Sequence, residues 1–456
     1  MDSIAEIFNK QREFFRTAET RPLEFRKQKL LALRKAITLN EAEICKALSE
    51  DLKKSSFESY VTEIAMVLQE INFMLSNMHR YLKPKRVRAP ITQFPSSCRV
   101  YKEPYGNVLI ISPWNYPFHL AMLPLVGAIA CGNCAIVKPS EYSPATAKVI
   151  QKMIQSIYPA SFVDVIQGGV ETAQCLLDKA FDMIFFTGST TVGKIVLEKA
   201  AKHLTPVVLE LGGKCPCIVD ETANIKLAAK RIAWGKCLNA GQTCVAPDYL
   251  LVHSSMKQYL IDEIQKNITL FYTEHPENHP DYPAIISDRH YKRLTSLLRT
   301  EHVIWGGHQN QKERKISPAL VDEVSWQDPL MQEEIFGPLL PILSYEKLSS
   351  IVMEVSKKPK PLALYLFTTS KTNKRIVVHN IPYGGGCIND VIVHLASDKL
   401  PFGGVGESGM GRYHGIASLD AFSHSKSILQ KSNFLDLPLR YPPYKNKVQL
   451  VKKFFR

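Results

Sequence analysis

Cys244, in Gly241-Gln-Thr-Cys244, stands just beyond an expected helix, beside a glycine and small residues. Backbone N–H groups at such a boundary can lower a thiol's pKa and leave it open to solvent, the conditions for a nucleophilic thiolate. Taken alone, such a cysteine is more often a buried structural thiol. Glu210 ends an apolar run in Leu209-Glu-Leu-Gly-Gly213. A carboxylate there is either a strand-end cap with a salt bridge, or one raised by burial toward the range of a general base near neutral pH. Phe186-Thr-Gly188-Ser-Thr-Thr-Val-Gly193 reads as a strand, a glycine-bounded turn and a helix. That order offers backbone N–H groups and a helix dipole to a pyrophosphate. The spacing is not GxGxxG, and a plain strand–helix turn would look alike.

These residues need a scaffold, and the hydrophobic rhythm supplies one. Short apolar runs at Asn107–Ser112, Cys134–Lys138, Phe162–Gln167, Met183–Thr187 and Val207–Leu211 alternate with helical patterns. The helices are expected near Phe118–Ala130, Ser143–Ser156, Glu171–Asp178 and Thr191–Lys202. Such alternation means an α/β fold, a parallel sheet wrapped by helices, with ligands at the carboxyl ends of the strands. That places Pro113–Asn115, Lys138–Glu141 and Gly188–Gly193 around one crevice. A second strand–helix series runs from Cys215 to about Gly386, with a helix expected over Ile225–Asn239. The first eighty residues are helical in pattern. Pro84–Tyr101 is basic and Pro-interrupted, like an extended arm or hairpin, and the tail after Phe422 is a basic, Pro-rich arm suited to a partner subunit.

With 456 residues the chain has room for two or three domains at about 150 residues each. Its ten cysteines, without a signal-peptide pattern at the N-terminus, point to free thiols in a reducing, cytoplasmic setting. Cys131-Gly-Asn-Cys134 and Cys215-Pro-Cys217 have metal-like spacing but sit in apolar runs without a nearby His, so they read as buried structural cysteines and no metal is expected. The nearly apolar stretch Phe118–Val137 contains Pro124, Gly127 and Gly132, and reads as a buried helix turning into a strand rather than a membrane span. A formal net charge of +14 raises the question of nucleic acid, but no recognition motif accompanies it. A solvated basic surface that draws in anionic ligands accounts for the charge.

Taken together, the motifs resemble those of the aldehyde dehydrogenase superfamily over nearly the whole chain. Pro113-Trp-Asn-Tyr-Pro-Phe118, Lys138-Pro-Ser-Glu141, Phe186-Thr-Gly-Ser189, Leu209-Glu-Leu-Gly-Gly-Lys214, Gly241-Gln-Thr-Cys244, Glu334-Ile-Phe-Gly-Pro338 and Pro401-Phe-Gly-Gly-Val-Gly406 occur in that family's order and spacing. Cys244-Val-Ala-Pro-Asp-Tyr249, Asn389-Asp-Val-Ile-Val-His394 and Arg412-Tyr-His-Gly415 look most like the class-three branch, the fatty or aromatic aldehyde dehydrogenases. The resemblance implies a Rossmann-type cofactor domain (1–83 and 102–210), an α/β catalytic domain (211–412), and a small β oligomerisation arm with the C-terminal tail (84–101 and 413–456).

It also implies roles. Cys244 would attack the aldehyde, the amide of Asn115 and the Cys244 N–H would hold the oxyanion, and Glu210 would activate the water that releases the acid from a thioester. Lys138 and Glu141 would hold the adenosine ribose, while Gly188, Ser189 and Gly193 would form the pyrophosphate turn. Glu334 and Phe336 would meet the nicotinamide riboside, and Asn389 would support the site from behind. Base duty is divided between Glu210 and Glu334 in a way the resemblance leaves open. Glu141 should favour the 2′-hydroxyl of NAD and Lys138 the 2′-phosphate of NADP, so NAD is expected to be preferred with NADP accepted. Glu407 departs from the branch pattern by placing a charge where an asparagine is usual. A homodimer is expected. Tyr441-Pro-Pro443 resembles a segment that precedes a membrane anchor in some relatives. Here the chain stops at Lys452-Lys-Phe-Phe-Arg456, so the expectation is at most weak peripheral membrane contact through these basic and aromatic residues. Competing readings are an acylating semialdehyde dehydrogenase, which would not need Glu210, and a non-catalytic binding protein on the same fold.

Overall fold

The apolar runs become strands of two sheets. Asn107–Ile111, Cys134–Lys138, Val163–Val165, Met183–Thr187 and Val207–Glu210 are buried along nearly their whole length, as strands covered on both faces must be. The computed structural model describes residues 2–298, 302–445 and 447–453. In it the five strands lie parallel in the order 207–210, 183–187, 107–111, 134–138, 163–165. The connections run one way from Asn107–Ile111 and then return to its other side. The carboxyl ends of Asn107–Ile111 and Met183–Thr187 therefore open a crevice at the switch point. His119–Cys131, Pro144–Ile157, Val170–Leu177 and Thr190–Ala201 connect the strands. The first of these helices is buried throughout, stops at Gly132 (φ 89°) and leads into Cys134–Lys138. Among the described residues, no helix is long and apolar enough to cross a membrane.

The second series forms a seven-stranded sheet in the order Val303–Gly306, Ala319–Val321, Leu339–Tyr345, Tyr249–His253, Pro216–Val219, Ala363–Phe367, Gly385–Ile388, parallel except for its first pair. The N-terminal helices Asp2–Arg16, Leu23–Leu39, Glu41–Leu52 and Ala65–Tyr81 pack against the first sheet and its helices. Ser56–Ser59 and the π-helical turn Tyr60–Ile64 lead into the last of them. Cys131, Cys134, Cys215 and Cys217 are buried free thiols, each pushed up by burial. Among the described residues no cluster of three or more His, Cys, Asp or Glu gathers as a metal cage.

Lys85–Val87, Ser96–Pro104 and Ser423–Lys431 make a three-stranded antiparallel arm. Two expected boundaries move. The arm strand continues past 101 to Pro104, because Ser423 pairs with Pro104 and keeps the ladder going. Residues 413–422 belong to the first sheet's layer, not to the arm: Tyr413 and Phe422 are buried against Phe185, with ring centroids 4.9 and 5.6 Å away. The helix expected to reach Asn239 ends at Cys237, since Asn239 and Ala240 are left-handed (φ 50° and 52°). Of the expected membrane-touching tail, residues 454–456 lie outside the described residues.

Candidate active site

Cys244 shares a cavity with Thr187 and Glu210 of the first sheet and Leu362 at the edge of the second, on a loop held under strain. Asn239, Ala240 and Gly241 all have positive φ, and each non-glycine in that region costs on the order of 1 kcal/mol. The loop is fixed by Gln242, whose Nε2 donates to Asn239 O (3.0 Å) and Ala284 O (2.9 Å) and whose Oε1 accepts from Ile286 N (3.0 Å). A Cβ on Gly241 would come within 2.3 Å of Gly337 O, so glycine is required for the loop to lie against the Glu334–Pro338 segment.

Two cavities meet at Cys244. One, of about 260 Å³, is lined by Trp114, Asn115, Thr187, Gly188, Ser189, Glu210, Arg293, Glu334 and Phe336. The other, of about 280 Å³, is walled by Val61, Met66, Leu238, Ile392, Leu395 and their neighbours, with Tyr116, Trp234 and Phe402 among them. Leu120, Phe402 and Tyr413 border both. The structure thus brings together Cys244, Glu210, Asn115, Gly188, Ser189, Glu334 and Phe336. Lys138 and Glu141 do not line this cavity; they sit at the end of Cys134–Lys138 and bond each other at 2.9 Å. Gly193 is one turn into its helix, where a Cβ would meet Leu211 at 2.6 Å. Asn389 lines neither cavity: its amide donates to Thr368 O (2.9 Å) and accepts from Thr368 N (2.8 Å), tying two loops of the second sheet.

The thiol is not activated as expected. Burial raises the Cys244 pKa above its ordinary value, the carboxyls of Glu334 and Glu210 push the same way, and backbone N–H groups of Cys244 and Val245 pull it down too weakly. Desolvation outweighs the loop amides here. Glu210 is buried, raised well above the carboxylate range by burial against a weaker pull from Arg412, and neither of its oxygens has a partner. Burial likewise lifts Glu334 to about 8, with Asp248 adding to the rise and Gly213, Lys214 and Arg293 opposing it. Lys214 fixes the Glu334 loop from below, donating to Asp248 (2.5 Å), Leu330 O (2.7 Å) and Glu333 O (3.0 Å), while Asp248 accepts from Ile335 N (2.9 Å). The amide of Asn115 donates to Gln242 O at 3.0 Å, and an NH₂ group has a second hydrogen to give.

The residues present fit a dinucleotide. The chain leaves Met183–Thr187 through Gly188, where a Cβ would come within 2.6 Å of the Phe186 ring. It then enters Thr190–Ala201 with Ser189 as the N-cap, its hydroxyl accepting from Val192 N at 3.4 Å. A helix N-terminus beside a cavity with the unpartnered buried hydroxyl of Thr187 suits an anionic ligand with hydroxyls to offer. The apolar cavity has no local signature in the sequence, because its walls come from separate segments; nor do the buried Lys54, Glu58 and Glu63.

A family profile described as aldehyde dehydrogenase family matches residues 2–428. The chain is 48% identical over 458 residues, covering 100% of both sequences, to the 4,4'-diaponeurosporen-aldehyde dehydrogenase of Staphylococcus aureus (strain NCTC 8325 / PS 47). It is 44% identical over 448 residues to aldehyde dehydrogenase family 3 member A2 of Mus musculus, covering 97% of this chain and 92% of that one. It superposes on the substrate-bound state of Staphylococcus aureus AldH with a TM-score of 0.98, at 48% identity and 99% coverage of both chains.

Proposed function

The chain belongs to the aldehyde dehydrogenase family and is an NAD(P)-dependent oxidoreductase acting on aldehydes, and from that premise we propose that it oxidises medium- to long-chain apolar aldehydes through a thioester on Cys244. The meeting at one sulfur of an apolar cavity and a cavity that carries carboxyls and hydroxyls among its apolar walls supports this reading. The apolar cavity takes the hydrocarbon and leaves the carbonyl at the thiol. Burying a chain there contributes about 0.8 kcal/mol per methylene.

When bound, the dinucleotide supplies the acceptor for two electrons and, in its oxidised form, a positive charge beside the thiol. Gly188, Ser189 and the helix they open would hold its pyrophosphate, Glu334 its nicotinamide ribose and Phe336 the ring. Lys138 and Glu141 would take the adenosine ribose, with NAD favoured by Glu141. With its proton lost to solvent under the pull of that positive charge, the Cys244 sulfur adds to the carbonyl as a thiolate, and the resulting oxyanion would be met by the free N–H of the Asn115 amide and the backbone N–H of Cys244. Removing one such donor typically costs about 10²- to 10³-fold in kcat. Glu210, buried with neither oxygen engaged, accepts the proton of the water that opens the thioester. A base kept for water favours hydrolysis over transfer to another acyl acceptor. It also speaks against a non-catalytic role. Asn389 supports the loop that follows Gly385–Ile388 and not the reacting atoms.

We also propose that the β arm forms a homodimer surface, since Ile428 and Leu429 on its C-terminal strand are exposed, and that the enzyme works in the cytoplasm, in keeping with its ten free cysteines. Contact of the basic tail with anionic membranes is proposed as weak and salt-sensitive. Light scattering reads the first, and vesicle sedimentation at low and high salt reads the tail. The deciding measurement for the catalytic reading is kcat/KM for straight-chain aldehydes of increasing length, with NAD and with NADP. We expect it to rise with length and to be higher with NAD. Fastest turnover of the shortest, most polar aldehyde would overturn the substrate class.

A further inference from the structure

Under the meeting point of the two cavities lies a buried charge cluster that the reaction as described does not use. The side chains of Lys54 and Glu63 are fully buried and bond each other at 2.5 Å. Such a pair gains little stability over an apolar one once desolvation is counted, so its placement asks for another explanation. Every remaining bond of the pair is spent on the site. Lys54 Nζ donates to the backbone oxygen of Asn115 (3.2 Å) and lies 4.1 Å from the centroid of the Tyr116 ring. Glu63 Oε2 accepts from Phe118 N (2.9 Å) and His119 N (3.1 Å), so the pair holds the 115–119 turn at both ends.

The same turn is bonded to the nucleophile's loop. Asn239 Nδ2 donates to Asn115 O (2.8 Å), and Asn239 N donates to Glu58 Oε1 (2.9 Å). The Tyr116 hydroxyl shares a 2.7 Å bond with the hydroxyl of Thr243, next to Cys244. Glu63 sits in the π-helical turn Tyr60–Ile64, and that turn also contributes Val61 and Thr62 to the apolar cavity wall. A π turn at a functional site is a recurrent way to re-aim side chains that an α-helix would place elsewhere.

We propose that Lys54, paired with Glu63, is a positioning residue that fixes the Asn115 amide against the Cys244 loop, so that the two oxyanion donors converge. The proposal rests on the reading that Asn115 meets the oxyanion. Lys54 touches neither substrate nor cofactor. Its effect should pass through Asn115 and appear in the step that forms the tetrahedral adduct, because misplacing a donor by a fraction of an ångström is enough to cost rate.

The test is a cycle of variants read by pre-steady-state burst rate, steady-state kcat, aldehyde KM, dinucleotide Kd and Tm. Lys54→Met alone strands a buried carboxylate and is expected to lower Tm. The charge-neutral Lys54→Met/Glu63→Gln removes that problem and is the decisive variant. It should bind dinucleotide with Kd within about twofold of the parent and keep aldehyde KM, while the burst slows by about 10- to 100-fold. Asn115→Ala should slow it by about 10²-fold or more. Combined with Asn115→Ala, the Lys54→Met/Glu63→Gln pair should add less than about threefold further loss, the non-additivity of residues that act as a unit. A parental burst rate in Lys54→Met/Glu63→Gln overturns the proposal. So does a fully multiplicative loss on the Asn115→Ala background, which would mark the pair as part of the general scaffold. A parental burst in Asn115→Ala itself instead overturns the assignment of the oxyanion donor.

Discussion

The two cavities at Cys244 differ in volume by little, about 260 against 280 Å³, and in almost everything else. The first gathers strand ends and the turns that follow them, with His290 and Arg293 from a helix, and it presents carboxyls and hydroxyls among apolar walls. The second is built from helix faces and loops from distant parts of the chain, and it presents almost only carbon. One sulfur borders both, so an electron acceptor and a hydrocarbon can be served from opposite sides without sharing a solvent. The contrast also explains the resting state of the thiol. It faces dry surroundings on one side and two carboxyls on the other, and both conditions favour the neutral form.

The comparison is most sharply broken at its shared wall. Cys244→Ala should abolish production of reduced cofactor while dinucleotide binding and Tm stay near parental values, measured by absorbance and calorimetry. Glu210→Gln should leave the first-turnover burst but slow steady turnover by about 10²- to 10³-fold; unchanged turnover would shift base duty to Glu334. The two sides should then separate under substitution. Val393→Asp, in the apolar cavity, should raise KM for long aldehydes by about tenfold or more and leave dinucleotide Kd unchanged, since an introduced carboxylate forfeits apolar burial. Ser189→Asp should do the reverse, weakening dinucleotide by about tenfold through like-charge repulsion at the helix N-terminus.

The pH dependence carries a sign. The base proposed at Glu210 would act only when ionised, and burial raises its pKa, so deacylation should increase as pH rises above the ordinary carboxylate range. Glu334, lifted to about 8, gives up its proton in the same direction, and its Gln variant should show whether it contributes to that limb. The smallest expected effect is on the thiol. Oxidised dinucleotide should speed alkylation of Cys244 severalfold at fixed pH by placing positive charge nearby, and mass spectrometry of the modified peptide would report it.

What could be read from the sequence follows the same division. Glu210, Gly188 and Ser189 were visible because strand ends and helix starts carry local signatures: an apolar run that stops at a carboxylate, a glycine before an N-cap. The alternation of runs likewise gave the parallel sheet, with helix ends misjudged by one or two residues. Asn389 reads as support for the site because it lies within a family-like motif, and its amide, bonded to Thr368, ties two loops of the second sheet. The lowered thiol pKa failed because burial is a tertiary property, invisible in Gly-Gln-Thr-Cys. The apolar cavity was illegible for a related reason. Val61, Trp234, Ile392 and His414 share no period or motif, and only the packing of their four segments makes them one wall. Lys54 and Glu63 looked like ordinary charges in a helical stretch, because nothing local says that a charge is buried.

The bonds that close the site join residues very far apart in the chain. Glu70 accepts from Gly415 N at 2.9 Å, and Ser96–Pro104 pairs in register with Ser423–Lys431. During synthesis Cys244 is therefore complete on the order of ten seconds or more before the segment bearing Tyr413 and His414 exists to wall it in. Until then the newly made polypeptide carries an ordinary cysteine with no assembled chamber around it. Activity should switch on late and all at once, as the final strand zips into place.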